Sequence, residues 1–172
     1  KNTGSERLPI SSVQMTVLGA NGNTLHQENY VSYMPSVVEP GETMLVSEWM
    51  YDFVKEIGKV DSIQISVETA SRVNEKWKQL GDVRAWLDGD YLCVEFTNTT
   101  EKTLFGVICA ATVSDANGQI LDMMMQSPYD TDDLGIAQGS SIVWRKQLED
   151  AATLKIGTDA VCKAWAYRME DL

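Results

Sequence analysis

The sequence predicts an all-β chain of two tandem antiparallel β-sandwich modules, residues 1–78 and 79–172, the first lacking its N-terminal strands. Three observations carry that reading: the chain repeats itself, apolar and polar residues alternate in short runs, and Asn-Gly steps separate the runs. Self-similarity at a fixed spacing bears on the whole architecture, so it comes first. Ala20-Asn21-Gly22 recurs as Ala116-Asn117-Gly118, 96 residues on, and Asn2-Thr3, Leu8, Leu25 and Tyr33 match Asn98-Thr99, Leu104, Leu121 and Tyr129 at the same spacing. Val13, Met15 and Val17 fall in step with Cys109, Ala111 and Val113. The spacing then widens to 98, where Pro40-Gly41-Glu42-Thr43 lines up with Gln138-Gly139-Ser140-Ser141, and Met44–Val46 with Ile142–Trp144. Ile63, Ile65 and Val67 are expected near Ala160, Cys162 and Ala164.

The elements follow in order. Val13-Gln14-Met15-Thr16-Val17 alternates with period two, as a half-buried strand does. Asn21-Gly22 and Asn117-Gly118 each sit between two such runs, where a type I′ hairpin turn is expected. Pro40-Gly41 punctuates the chain before the next strand. Glu48–Lys59 is weakly helical, and Ser71–Leu80 reads as a second helical turn or as the linker. In the second module Asp88-Gly89 joins Val83–Leu87 to Tyr91–Thr97, with Leu92, Val94 and Phe96 on one face and Tyr91, Cys93 and Glu95 on the other. Six strands are expected there: 83–87, 91–97, 104–114, 119–126, 140–147 and 159–168. That many short antiparallel strands with turns between them describe an immunoglobulin-like sandwich. Thr97 maps onto Lys1, so the first module has no counterpart of its partner's first two strands. The sequence admits three accounts of the gap: a chain trimmed in an earlier linker, a different topology, or a strand supplied from elsewhere. Without a cover, the face carrying Val13, Met15 and Val17 is expected to drive self-association through the first module or close packing of the first module on the second.

Charge narrows the function. The formal net charge is −11, with 14 Lys and Arg against 25 Asp and Glu. Nucleic-acid and anionic-lipid surfaces need clustered cations, so neither partner is expected. No apolar run is long enough to insert in a membrane. No signal peptide is visible in Lys1–Arg7. One His and three Cys are too few for a zinc ribbon or a disulfide scaffold.

An apolar strand ends in Thr-Asn (Phe96-Thr97-Asn98) and leads through a polar turn into a further apolar strand. The hairpin Asp115-Ala116-Asn117-Gly118 follows it, and in the first module Pro40-Gly41-Glu42 precedes another strand. This order resembles the FxLyD-type and related immunoglobulin-like modules of bacterial extracytoplasmic proteins, common in Firmicutes lipoproteins, over about 2–70 and 83–168. The resemblance implies export, a lipoprotein anchor upstream of residue 1, and no catalytic residues to carry over.

Residues that could carry chemistry are few. His26 is the sole histidine and the only candidate base for a serine or cysteine nucleophile; beside Gln27 and Glu28 it reads as a solvated strand residue. Cys109 and Cys162 read as small core residues, Cys93 lies on the opposite face from Leu92 and Val94, and three free thiols are expected. Asp130, Asp132 and Asp133 could offer oxygens to calcium, though a solvated loop is the plainer reading. Asp115-x-Asn117-Gly118 opens like a calcium loop and reads as a turn. Asn98-Thr99-Thr100 fits a glycosylation sequon and also reads as a turn. Trp49, Trp77, Trp86, Trp144 and Trp165, with Tyr30, Tyr33 and Tyr129, could stack on sugars, but most are expected in cores. Met123-Met124-Met125 places methionines on both faces of one strand. No catalytic, cofactor or metal site is expected. The chain reads as a non-enzymatic spacer or binder of protein or glycan on a bacterial surface, or else as an accessory carbohydrate-binding region of a larger extracellular enzyme.

Overall fold

The computed structural model describes residues 1–48, 59–71, 77–126, 135–148, 156 and 159–169. Its elements are all strands, with no helix among the described residues. The expected helical stretch Glu48–Lys59 lies outside them except at its two ends. The chain forms two units, Lys1–Glu75 and Lys76–Leu172. Of Ser71–Leu80, the part Trp77–Leu80 is strand β7; its backbone pairs with the C-terminal strand of the second unit, so residue 77 already belongs there.

In the first unit β1 (Leu8–Gly19) lies between β2 (Thr24–Glu28) and β6 (Val60–Thr69), while its first residues pair with β4 (Val37–Val38). A separate pair joins β3 (Ser32–Met34) to β5 (Leu45–Ser47). Period-two patterning decides what is buried: Val13, Met15 and Val17 share one face of β1 and are buried with Ile10, Val31 and Val38, against Leu25, Tyr33, Met44 and Val46. The face expected to lie open is therefore covered. The open residues are one strand further out. Ile63, Ile65 and Val67 pair directly with Val17, Met15 and Val13, so they share that core face, yet they are 55%, 44% and 42% exposed.

The second unit has two sheets. One runs in the order β11 (Ile120–Gln126), β10 (Val107–Ser114), β13 (Val161–Met169), β7, and the other β12 (Ser141–Gln147), β9 (Tyr91–Thr97), β8 (Val83–Asp88). Both contribute to one core: Leu92, Val94, Phe96 and Trp144 from the second, and Cys109, Ala111, Val113, Met124 and Ala166 from the first. Burying each of Leu92, Val94 and Phe96 stabilises this unit by about 1.5–3 kcal/mol.

The hairpins after β1 and β10 are not type I′. Gly22 and Gly118 have φ of 73° and 83°, while Asp82 is the one non-glycine residue at positive φ among the described residues. Asn21 and Asn117 therefore lack the φ that type I′ demands. The Gly22 N–H donates to Gly19 C=O and the Gly19 N–H to Asn23 C=O; Gly118, Asp115 and Gln119 make the same two bonds. This is a three-residue loop with glycine in the left-handed position. The hairpin expected at Asp88-Gly89 does form, with the two-residue loop Gly89-Asp90 and Gly89 at φ 57° as type II′ requires.

The same bonds recur elsewhere at 96 or 98 residues' spacing. The Asn2 amide nitrogen donates to the carbonyls of Glu6 (2.8 Å) and Val38 (2.9 Å), and its oxygen accepts from the Gly4 N–H (2.9 Å). The Asn98 amide nitrogen donates to Lys102 (2.8 Å) and Ile136 (2.7 Å), and its oxygen accepts from the Thr100 N–H (3.0 Å). Main-chain bonds from Asn2 to Glu42 and from Gly41 back to Asn2 reappear as Asn98 to Ser140 and Gly139 to Asn98. Strand register follows suit: Val17 pairs with His26 and Ile63, and Val113 with Asp122 and Cys162. Ile63, Ile65 and Val67 thus take the places of Cys162, Ala164 and Ala166, two residues beyond the positions expected from sequence.

Candidate binding surface

The outward face of the β12–β9–β8 sheet carries the most developed arrangement of charged and aromatic groups. Strand alternation turns Val83, Ala85 and Leu87 toward the core and leaves Arg84, Trp86 and Asp88 outward. Register then sets Arg84 beside Glu95 and Asp88 beside Tyr91. Arg84 pairs with Glu95 and lies 5.2 Å from the centre of the Trp86 ring. Arg145 bonds Asp88 at 3.0 Å and lies 4.4 Å from the Tyr91 ring. Each arginine bridges a carboxylate and an aromatic ring, a combination of ion pair and cation–π contact worth about 0.5–1 kcal/mol where exposed. At one end Asp82, Val83, Arg84, Glu95 and Thr97 line an open depression of about 260 Å³. The Thr99 hydroxyl donates to the Asp82 carboxylate at 2.6 Å, and the Thr97 and Ser141 hydroxyls bond one another at 2.8 Å. The surface sets charged and aromatic side chains side by side across three strands.

The other sequence candidates scatter. His26 lies on β2 opposite Val17. Cys93 and Cys109 are buried and all three cysteines are free. Desolvation pushes the Cys109 thiol up to about 12 and raises Cys162 as well, which disfavours the thiolate that nucleophilic chemistry needs. Asp115 accepts the N–H groups of Asn117 (2.9 Å) and Gln119 (2.8 Å), so its carboxylate is engaged in the turn. Asn98 is fully buried with both amide protons given to carbonyls, and it offers no nitrogen to a glycan. Asp130, Asp132, Asp133, Tyr129 and Trp49 lie outside the described residues, as does the Trp77 side chain. Among the described residues no three His, Cys, Asp or Glu side chains gather as a metal site, and no helix is long and apolar enough to cross a membrane. Of the described tryptophans Trp144 is buried in the core, while Tyr30 is 91% exposed on the opposite unit.

Sequence reasoning passed over two features. The Asn2 and Asn98 bonds were signalled by the repeated Asn-Thr pair but not by residue type alone, since asparagine after a strand usually marks a turn. The arginine bridges needed the cross-strand register, which no single run reveals. No family model matches this chain, and no curated protein or solved structure does.

Proposed function

We propose that the chain is a duplicated pair of immunoglobulin-like modules that acts without catalysis, as a spacer and protein- or glycan-binding element at a bacterial cell surface. The observation that carries the duplication is the pair of buried asparagines, Asn2 and Asn98, whose three side-chain bonds run to matching backbone positions in each unit. Three matched bonds, matched glycine loops and matched register make independent origin a poor account of the two units. The binding part of the reading rests on the Arg84–Trp86 and Arg145–Tyr91 surface, and the exported location on the resemblance to extracytoplasmic modules. The acidic surface keeps such a pair soluble and away from anionic envelope polymers.

The test has two arms. Asn2→Ala and Asn98→Ala each leave two buried carbonyls without their donor and should destabilise their own unit by about 2–3 kcal/mol. Segment-resolved hydrogen exchange should find the loss confined to residues 1–75 in one case and 76–172 in the other. A disparity in which Asn2→Ala changes nothing would break the equivalence. In the second arm, an array of immobilised glycans and peptides is probed with the wild-type chain and with Arg145→Ala. Binding that survives Arg145→Ala and Trp86→Ala alike would remove the proposed surface from the reading, and hydrolysis abolished by His26→Ala would overturn the noncatalytic assignment.

A further inference from the structure

Resting on the duplication just proposed, we infer that the bare stripe Ile63–Ile65–Val67 on β6 is a docking site for a β-hairpin segment built like Trp77–Thr97 but with smaller apolar residues.

The second unit shows what such a stripe is for. Cys162, Ala164 and Ala166 hold the places of Ile63, Ile65 and Val67, and they pack against the core that includes Val83, Ala85, Leu87, Leu92, Val94 and Phe96. One continuous segment supplies that cover. Its first strand, β7, adds to the edge of β13, with Leu80 opposite Ala166. After the Gly81-Asp82 turn, β8 and β9 lie across the core face. In the first unit every residue of β6 is exposed, and β1 is its one partner strand among the described residues. Leu8 repeats the contrast: it is 38% exposed, where its counterpart Leu104 is 1% exposed within the second core. Among the described residues the first unit thus offers both things the segment Trp77–Thr97 uses, an open strand edge for main-chain pairing and an apolar face beside it.

Two features specify the occupant. The first is size. Where the second unit sets Cys and Ala beneath its hairpin, β6 presents Ile, Ile and Val. Interiors pack to near-constant density, so large residues on one side call for small ones on the other. On that principle the occupant carries Ala or Gly over β6 in the places that Val83 and Leu87 hold in the second unit. This also sets aside the β8–β9 hairpin of a second copy, whose Leu92, Val94 and Phe96 are fully buried at home. The second is charge. Asp61 is the unpaired residue at the bulge between Val60 and Ser62 and is exposed at that end of the stripe, where the second unit has Ala160 packed on its core. The docked segment therefore carries Lys or Arg at that end, and strand pairing along β6 holds it in register.

The experiment uses the full chain with Ile65→Cys and a copy of residues 77–97, bearing Val83→Ala and Leu87→Ala in the copy, joined ahead of Asn2 in place of Lys1. The join follows the Thr97–Asn98 junction, and tethering supplies a high local concentration. Maleimide labelling at residue 65 is followed by peptide mass, with amide exchange on β1 as the reading of a folded unit. The expected result is labelling slowed at least about tenfold against Ile65→Cys alone, as for a locally protected site, with Ala85→Asp in the copy restoring the fast rate. Unchanged labelling, protection that persists with Ala85→Asp, or loss of β1 protection in the joined chain would each overturn the inference. So would concentration-dependent protection of residue 65 without the added segment, since a second copy would then be the occupant. The duplication is tested separately by Asn2→Ala and Asn98→Ala, so it can stand while the docking site falls.

Discussion

β6 and β13 run beside β1 and β10 in matching register over Ser12–Leu18, yet one is bare and the other is roofed. Val67 is 42% exposed and Ala166, in the equivalent place, is fully buried. The buried strand carries small residues on its core face and the bare strand carries large ones, the reverse of what solvent exposure alone would favour. The two units nonetheless share a buried asparagine, a left-handed glycine in the hairpin and the pairing of three strands, features present with the stripe roofed or bare. The second sheet then fixes how deeply the central sheet is buried, and with it how much stability each unit draws from its core.

The sharpest way to test that division is to empty the roofed core. Phe96→Ala should cost about 3–5 kcal/mol and should be seen in denaturant unfolding of the second unit, with amide exchange in residues 1–75 unaffected. If both units lost protection together, the two would not be energetically separate.

Alkaline pH separates the units through the desolvated thiols of the second, Cys109 above all. Folding holds Cys109 protonated up to about 12 against 9.0 for the free side chain, through burial. The folded state then binds a proton the unfolded state has released, so this contribution is fully present below pH 9.0 and is lost as pH rises toward about 12. The expected slope is at most about 1.4 kcal/mol per pH unit. Its first-unit counterpart, Val13, has no such group. Cys109→Val should flatten the second unit's pH dependence in that window; an unchanged slope would show that other groups govern it.

Smaller effects probe the shared framework. Gly22→Ala and Gly118→Ala, at φ of 73° and 83°, should each cost about 1 kcal/mol or slightly more. Thermal melts with domain-resolved exchange should find the two losses alike; a large inequality would mean the loops are not doing the same work. Least of all, Ile65→Thr should shift stability by less than about 0.5 kcal/mol, since the side chain is half in water already. A loss of several times that in the isolated chain would reveal a cover over β6.

Much of this was legible from sequence. The all-β class, six of the second unit's seven described strands and the glycine hairpins followed from period two and from local turn chemistry, while β7 reads in sequence as a helical turn or linker. The register of β6 was misjudged by two residues because nothing inside Val60–Thr69 marks where its pairing with β1 begins, and that register depends on irregularities at Ile10/Ser12 and Leu18/Gly19. The face thought to be open was Val13–Val17, whereas Val31, Tyr33, Met44 and Val46 close over it; three- and two-residue strands such as β3 and β4 are too short to carry a readable period. Type I′ geometry was expected from the Asn-Gly dipeptide alone, but the bulged loop needs one more residue than the dipeptide shows. The arginine bridges were hidden for the same reason as the register, since they join side chains from different strands.

The ion pair between Lys146 and Asp122, 2.6 Å long and largely withdrawn from solvent, ties β12 to β11. In the first unit the matching positions are Glu48 and His26, with acid and base exchanged between strands. A strand from the first unit lodged in the second during folding would thus set Glu48 against Asp122, carboxylate against carboxylate. Two units with matching strands face a standing hazard of trading them, and an acid in place of a base at this one site makes that trade repulsive while the Lys146–Asp122 pairing stays attractive.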